Sequence, residues 1–194
     1  MTKLRHYDHD GRARFITINS HQNLPIFSSV EIRNLIIDRF IERCHQDKVR
    51  VLAYCLMPEH FHFVIVPPLE LKIGPFVGRF KLVTSMEMHN FYLGRSSTLL
   101  QRLQAVRDGE SRFVLWMRRC YDRNCRNEKE IQQKVDYCHW NPVKRRLVRS
   151  PELWKWSSYQ YHLQESDDLV EFDIVSMYGD GKYSDSQTGS FDRS

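Results

Sequence analysis

The segment that most constrains this chain runs from His60 to Val66 and is predicted to be a β-strand with two histidines separated by one apolar residue. Strand side chains alternate between the two faces of a sheet. His60 and His62 therefore point to one face, while Phe61 and Phe63 point to the other, where they suit a core. An ordinary buried strand has no use for two adjacent titratable rings, so the pattern favours a metal-binding platform. Taken alone, a His-x-His pair leaves a structural role open.

Composition limits the kind of protein to which this strand can belong. With 194 residues, of which 41% are hydrophobic, the chain can bury one sizeable core. We therefore expect a single domain over residues 1–178, with a polar insert at about 94–112. Residues 179–194 are rich in Gly, Ser and Asp and are expected to be a disordered tail. The net charge of +5 favours a polyanionic partner.

Cysteine usage and apolar runs bear on the cellular compartment. The five cysteines are odd in number and include no CxxC pair, and the polar N-terminus does not resemble a signal peptide. A reducing cytoplasm is therefore the expected location. No apolar run approaches the ~20 residues that span a bilayer, so we expect no membrane insertion.

Periodicity along the chain predicts the order strand, helix, strand, strand, helix, strand, followed by a third long helix. The predicted strands span residues 14–19, 49–56, 60–66 and 113–120, and the predicted helices span residues 30–45, 74–91 and 127–142. This order is that of an α+β, ferredoxin-like (RRM-like) fold. A four-stranded antiparallel sheet would carry two helices on one face and leave the other face open for substrate.

The third long helix has local signals for both of its ends. Asn127 and Glu130 have the spacing of a capping box, and Pro142 is expected to end the helix because the residue before a proline is biased away from helical geometry. Residues 122–124 are predicted to form a turn before this helix. A C-terminal cover is expected from Trp154, Trp156, Tyr159 and Tyr161.

Two side chains of the third helix could complete a site with the histidines. Tyr137 and Asn141 lie four residues apart and therefore project from one face of the helix. A tyrosine hydroxyl can attack phosphorus when a metal polarises the phosphate, and an amide oxygen is a candidate third ligand to that metal. The alternative is that Tyr137 is a surface residue of an amphipathic helix and Asn141 a C-terminal cap before the proline.

Two motifs resemble those of a known family. Leu-Met-Pro-Glu-His60-Phe-His62 and Val135-Asp-Tyr-Cys-His-Trp-Asn-Pro-Val-Lys144, in this order and spacing, resemble the REP-associated tyrosine transposases, which lie within the single-tyrosine HUH transposase superfamily. The resemblance extends from the first strand to about Tyr161. It includes the segment Trp-Lys-Trp-Ser-Ser-Tyr that follows the third helix.

The resemblance implies a function and a role for each site residue. His60, His62 and Asn141 would be metal ligands, to Mg²⁺ or Mn²⁺, and Tyr137 on the C-terminal helix would be the nucleophile. The enzyme would be an endonuclease and strand transferase for single-stranded DNA, working through a 5′-phosphotyrosine intermediate without a nucleotide or organic cofactor. Its substrates would be hairpins of repetitive extragenic palindromic (REP) DNA in the nucleoid, and a monomer is favoured over a dimer.

The chain departs from this family in one stretch. Where relatives commonly have Trp-Gln followed by an aromatic-acidic-His sequence, this chain has Met117 and Arg123 in place of the glutamine and the histidine. Tyr121 in the same stretch is a rival nucleophile, ranked below Tyr137 because no ligand-type residue lies at helical spacing from it. Basic side chains are candidate contacts for DNA phosphates. They are Arg79, Lys81, Arg118, Arg119, Arg123, Lys144, Arg145 and Arg146.

Two other functions are compatible with the same residues. A metal-dependent phosphodiesterase that uses water would turn over without a covalent protein–DNA adduct, and Tyr137 would then be structural. A non-catalytic module is the other alternative, because ferredoxin-like sheets bind single-stranded nucleic acid by stacking. Such a module would tolerate loss of both His60 and His62.

Overall fold

The computed structural model describes residues 11–93, 95, 98–107 and 109–164. The strands are β1 (Arg14–Asn19), β2 (Arg50–Leu56), β3 (His60–Val66), β4 (Gln104–Arg107), β5 (Glu110–Phe113) and β6 (Tyr121–Asn124). The helices are α1 (Val30–Gln46), α2 (Ile73–Leu93), α3 (Thr98–Arg102), α4 (Glu128–Lys144) and α5 (Tyr159–Gln164). The predicted tail at 179–194 lies outside the described residues. Within them, no helix is long and apolar enough to cross a bilayer, and none of the five cysteines forms a disulfide.

The main sheet has four strands in the order β2-β3-β1-β6, and every neighbouring pair is antiparallel. This confirms the predicted α+β fold with a four-stranded antiparallel sheet. β3 is an inner strand, paired on one side with β2 and on the other with β1. The backbone of the histidine strand is therefore held by hydrogen-bonded ladders along both of its edges.

One face of the sheet packs against α1 and α2. Phe61 and Phe63 point to this face, as predicted, and both are fully buried. The ring of Phe40 from α1 lies 4.9 Å from each of them, and Phe80 from α2 lies 6.1 Å from Phe61. Burying an aromatic side chain of this size stabilises the fold by about 1.5–3 kcal/mol. This layer therefore anchors β3 through the side chains that alternate with its histidines.

The opposite face of the sheet is partly covered by α4 and by the segment that follows it. Val135 and Cys138 from α4 pack with Val64 of β3 and with Trp154 in a second buried cluster. The indole Nε1 of Trp154 donates a hydrogen bond to the carbonyl of Leu56 at 2.9 Å. The expected C-terminal aromatic cover therefore forms, and it holds α4 against β2 and β3.

The fourth strand of the sheet is not where the sequence pattern predicted it. Residues 113–120 form no strand of the main sheet: Phe113 ends β5, and Trp116 makes one isolated bridge with Ser20. The polar segment predicted as a turn forms β6 instead. Apolar residues of the 113–120 run are buried in the main core without pairing in the sheet. β6 is an edge strand, and its buried Asp122 forms a salt bridge with Arg14 of β1. A side chain distant in sequence thus stabilises a strand that has no apolar pattern of its own.

Two further boundaries differ from prediction. The polar insert contains a short helix, α3, and a two-stranded hairpin, β4–β5, rather than only a loop. α4 begins after Asn127 as predicted, with the Asn127 side chain accepting a hydrogen bond from the backbone N–H of Glu130. It continues through the buried Pro142 to Lys144, so the predicted end is wrong. A proline removes one backbone donor, and the packing of α4 on the sheet outweighs that loss here.

Candidate active site

The two histidines lie side by side on the sheet face that α4 partly covers. The cross-strand register pairs His60 with Asn19 and His62 with Thr17, so all four side chains project to this face. The imidazole rings of His60 and His62 have centroids 4.4 Å apart and are inclined by 70°. The predicted juxtaposition of two imidazoles is therefore present in the structure.

Burial keeps both imidazoles neutral at physiological pH. Their residues are only 9% and 4% exposed for His60 and His62 respectively. Desolvation lowers the pKa of His62 to about 2, with smaller contributions from His60 and Lys134. Desolvation also lowers the pKa of His60, although the neighbouring Glu59 carboxylate opposes the shift. A neutral imidazole has a lone pair available for a metal ion.

Hydrogen-bond partners assign the tautomer of each ring. Glu59 Oε1 lies 3.1 Å from His60 Nδ1, and because a carboxylate can only accept, Nδ1 must carry the proton. The amide Nδ2 of Asn141 lies 3.1 Å from His62 Nε2, so Nε2 accepts and Nδ1–H donates to Thr17 Oγ1 at 2.7 Å. Both histidines thus have their lone pair on Nε2. Such outer partners orient ligating histidines in metal sites.

Helix α4 brings Tyr137 and Asn141 to the histidines. Asn141 is 6% exposed, and its amide contacts His62 rather than capping the helix end. The ring centroid of Tyr137 lies 5.2 Å from that of His62, with the rings nearly perpendicular. Tyr137 is 38% exposed, so its phenol borders the solvent-accessible side of the site. The histidine strand and the helix that carries Tyr137, about 75 residues apart in sequence, therefore lie together as predicted.

Lysine side chains flank the Tyr137 ring on both sides along the helix. Lys134 Nζ lies 5.8 Å from the ring centroid and Lys144 Nζ lies 5.5 Å from it. Lys134 Nζ is also 4.9 Å from the ring centroid of Phe15, the β1 residue beneath Tyr137. Two ammonium groups thus concentrate positive charge around the Tyr137 ring.

The histidines and the two α4 side chains line one open cavity of about 680 Å³. Its walls combine the histidines, Tyr137 and Asn141 with Lys144 and Arg145. The far end is lined by Asn19, Asn23 and Pro25 from β1 and the loop that follows it. A volume of this size is that of a typical small-molecule site. It can therefore hold more than a lone phosphate group.

The donor set fits a divalent cation. Two neutral imidazoles and an amide are compatible with Mg²⁺, Mn²⁺ or a later transition metal. A third ligand from Asn141 requires only that its amide present oxygen instead of nitrogen. Among the described residues no three His, Cys, Asp or Glu side chains gather as a metal cluster. A cation at this place would therefore depend on the amide of Asn141.

The predicted basic residues are distributed unevenly around this cavity. Lys144 and Arg145 line it, and Arg145 also forms a salt bridge with Glu59 at 2.5 Å. The structure does not bring Arg79 and Lys81 there, because both belong to α2 in the layer behind the sheet. Arg79 forms a salt bridge with Asp47, and Lys81 Nζ donates to the carbonyl of Met117 at 3.0 Å. The exposed Arg118, Arg119, Arg123 and Arg146 do not line the cavity either.

Sequence reasoning missed three residues that contact or adjoin the histidines. Thr17 and Glu59 bond to the imidazoles, and Asn19 lies opposite His60 across the strands. Thr17 and Asn19 alternate with the apolar residues of β1, so the sequence alone predicts that they share one face of the strand. Their pairing with the histidines was not, because strand register is set by tertiary packing.

Comparison with known proteins places this arrangement in context. Residues 15–104 match the family model described as "Transposase IS200 like". A Haemophilus influenzae protein, provisionally named a REP-associated tyrosine transposase, is 24% identical over 123 residues, which are 61% of this chain. The match spans 63% of that relative's length.

Two solved structures are similar to this chain to different extents. One, described as a REP-associated tyrosine transposase bound to a REP hairpin, superposes with a TM-score of 0.65 and 17% identity, over 90% of this chain and 96% of that one. A second, from Deinococcus radiodurans and provisionally described as a transposase, has a TM-score of 0.47 and 16% identity, over 72% of this chain and 98% of that one.

Proposed function

We propose that this chain is a REP-associated tyrosine transposase, which cleaves and rejoins single-stranded DNA through a covalent tyrosine intermediate. The family match, the curated relative and the shared fold support this proposal. One observation carries the proposal. Tyr137 from α4 stands 5.2 Å, ring to ring, from His62, on the wall of a cavity that His60 and Asn141 also line. A nucleophile for phosphorus and a set of metal donors thus face the same space.

Tyr137 is the nucleophile in this proposal. Its phenolic oxygen attacks the scissile phosphorus and loses its proton to solvent, while the bond from phosphorus to the 3′ oxygen breaks and that oxygen takes up a proton. The products are a 5′-phosphotyrosine and a free 3′-hydroxyl. One phosphodiester linkage has replaced another, so the bond energy is retained in the phosphotyrosine. The 3′-hydroxyl of a second DNA strand can therefore reverse the attack and join strands without a nucleotide cofactor.

The surrounding side chains have separate tasks. Lys134 and Lys144, at 5.8 Å and 5.5 Å from the Tyr137 ring, stabilise the negative charge that develops on phosphate and phenol. Thr17 and Glu59 hold the imidazoles in the tautomers that leave Nε2 as the donor atom. A divalent cation, Mg²⁺ or Mn²⁺, would be held by His60, His62 and Asn141, and would act as a Lewis acid on the phosphate oxygens.

The substrate we propose is a DNA hairpin of the REP type with a single-stranded foot. Two observations support this choice. The solved structure with the same fold holds a REP hairpin, and the net charge of +5 suits a polyanion. Lys144 and Arg145 reach the cavity and are the proposed contacts for phosphates next to the cleaved bond. Arg118, Arg119, Arg123 and Arg146 would bind phosphates outside it.

A trapping experiment tests the proposal. The protein is incubated with a labelled single-stranded hairpin and Mn²⁺ or Mg²⁺, denatured, and separated by size. We expect a covalent protein–DNA species that Tyr137→Phe abolishes and that chelation by EDTA prevents. Mass spectrometry of the digested adduct should place the nucleotide on Tyr137.

Matched variants separate the alternatives. Tyr121→Phe removes the hydroxyl of the rival nucleophile and should leave the adduct intact. Cleavage that persists in Tyr137→Phe without any adduct would instead identify a phosphodiesterase that uses water. If replacing both His60 and His62 by alanine leaves the affinity for the hairpin and the cellular function of the protein unchanged, the protein is a non-catalytic DNA-binding module.

A further inference from the structure

Tyr121 is an exposed aromatic residue on the same sheet face as the histidines. In the antiparallel register, Tyr121 of β6 pairs with Thr17 of β1, and Thr17 pairs with His62 of β3. Directly paired residues project to the same face of a sheet. Tyr121 therefore stands in one transverse row with His62, at the edge strand of the sheet. Tyr121 has no role in the proposed reaction.

A continuous path of aromatic rings connects Tyr121 with the site. The ring of Tyr121 lies 6.0 Å from that of Phe15, and Phe15 lies 5.6 Å from both His62 and Tyr137. Phe15 is only 4% exposed, whereas Tyr121 is 47% exposed. Tyr121 thus covers the edge of a buried ring and leaves about half of its own surface to solvent, next to the cavity.

The backbone of β6 holds this ring in a defined direction. Asp122, the next residue, points to the opposite face, where its carboxylate accepts two hydrogen bonds from Arg14 at 2.9 and 2.5 Å. The side chains of this pair are 1% and 2% exposed. A bidentate ion pair of this kind is strong and geometrically specific, so it joins β6 to β1 with Asp122 on the core side. Tyr121 and Arg123 are consequently fixed on the face that carries the histidines.

Basic residues neighbour Tyr121 along this edge of the sheet. Arg123 lies two residues along β6 on the same face; it forms a salt bridge with Glu130 at 3.7 Å and still has 46% of its side chain exposed. Arg119, just before the strand, is exposed. Lys134 lies on the far side of Phe15, 4.9 Å from that ring. An aromatic surface bordered by cations is the combination that binds single-stranded nucleic acid, since bases stack and phosphates pair with the cations.

We propose that Tyr121 is a stacking contact for an unpaired base in the single-stranded segment next to the scissile phosphate, with Arg119 and Arg123 on the adjoining phosphates. The inference rests on the proposed function, because it places the cleaved bond between His62 and Tyr137. The inference also gives the bound single-stranded DNA a direction: it runs across the sheet from the cavity towards β6. Every base has a face that can stack, so the contact contributes affinity and position rather than sequence choice.

Binding measurements without chemistry test this inference. Fluorescence anisotropy with a labelled hairpin carrying a single-stranded foot is performed in EDTA, so that no strand is cleaved. We expect Tyr121→Ala to weaken binding by roughly 5- to 100-fold, the range found for loss of one stacked base. Tyr121→Phe keeps the ring and should bind as the unmodified protein does. Thermal unfolding of both variants checks that the sheet edge stays folded.

Abasic substitutions in the foot locate the contact. One abasic position should weaken binding to the unmodified protein and have no further effect on Tyr121→Ala, because both changes remove the same stack. Affinity that is unchanged in Tyr121→Ala, or penalties that simply add at every position, would overturn the inference. The proposed function fails in a different way: its failure is an adduct that survives Tyr137→Phe or disappears in Tyr121→Phe.

Discussion

The two halves of the candidate site are built differently. The histidines belong to β3, an inner strand paired along both edges and backed by fully buried aromatic side chains. Tyr137 and Asn141 belong to α4, which has no backbone pairing with the sheet. α4 is held by the small apolar cluster around Val135, by a buried hydrogen bond between His139 and Ser158, and by a salt bridge between Arg145 and Glu59.

This difference suggests a division of labour. Metal ligands need fixed separations, and a strand within a sheet provides them through its backbone. A nucleophile that attacks and is later displaced must accommodate a changing phosphate position, which a helix held by side chains can do with small shifts. We therefore expect changes in the support of β3 to affect stability and metal affinity, and changes in the support of α4 to affect adduct formation.

The largest effect is expected from the core beneath the histidine strand. Phe61→Ala should lower the free energy of unfolding by about 3–5 kcal/mol, because Phe61 is fully buried against Phe40 and Phe80. Urea unfolding followed by circular dichroism measures this loss. Leu82→Ala removes an apolar side chain of α2 that is 60% exposed, and should change stability by no more than about 0.5 kcal/mol. Equal effects of the two changes would contradict the proposed anchoring of β3.

The hydrogen bond that holds α4 should have the next largest effect. Ser158 is fully buried; its hydroxyl lies 2.8 Å from His139 Nε2 and accepts from the backbone N–H of Tyr54 at 2.9 Å. Ser158→Ala should cost about 1–3 kcal/mol of stability, since it leaves these partners buried without it. Adduct yield at fixed metal should fall while Mn²⁺ affinity stays the same. Ser111→Ala, on the exposed hairpin, is the control and should alter neither quantity.

Removing the partner of His62 should weaken metal binding without unfolding the sheet. Thr17→Val keeps the shape of the side chain but removes the hydroxyl that lies 2.7 Å from His62 Nδ1. Loss of such an outer partner typically lowers metal affinity by about 10- to 100-fold. Isothermal titration with Mn²⁺ measures the change, with Thr98→Val in the exposed α3 as the control. An affinity equal to that of the unmodified protein would mean that Thr17 does not orient the ligand.

The smallest effect is expected from the exposed end of α4. Arg145 is 57% exposed in its side chain, and surface salt bridges contribute at most about 1 kcal/mol. Arg145→Gln should therefore reduce stability by less than about 1 kcal/mol, and high salt should abolish the difference. A double-mutant cycle with Glu59→Gln isolates the pair. A coupling well above this bound, insensitive to salt, would show that α4 is held as tightly as β3.

Sequence patterns predicted most of the fold where structure depends on local signals. The alternation of β3 and the periodicity of α1 and α2 are confirmed, and Asn127 caps α4 as expected. The prediction failed where distant partners decide. Residues 113–120 have the apolar character of a strand but pack into the core and form no strand of the main sheet, with one isolated bridge at Trp116. The polar residues of β6 pair because Arg14, 108 residues away in sequence, neutralises Asp122.

Residue identities alone determined that two imidazoles share one strand face and that a tyrosine and an asparagine share one helix face, because both periodicities are properties of the local backbone. Only the tertiary structure decided that these faces meet, that Thr17 sets the tautomer of His62, and that Arg79 and Lys81 lie behind the sheet. Those facts depend on strand register and on how α4 packs, which follow from contacts between segments far apart in the chain.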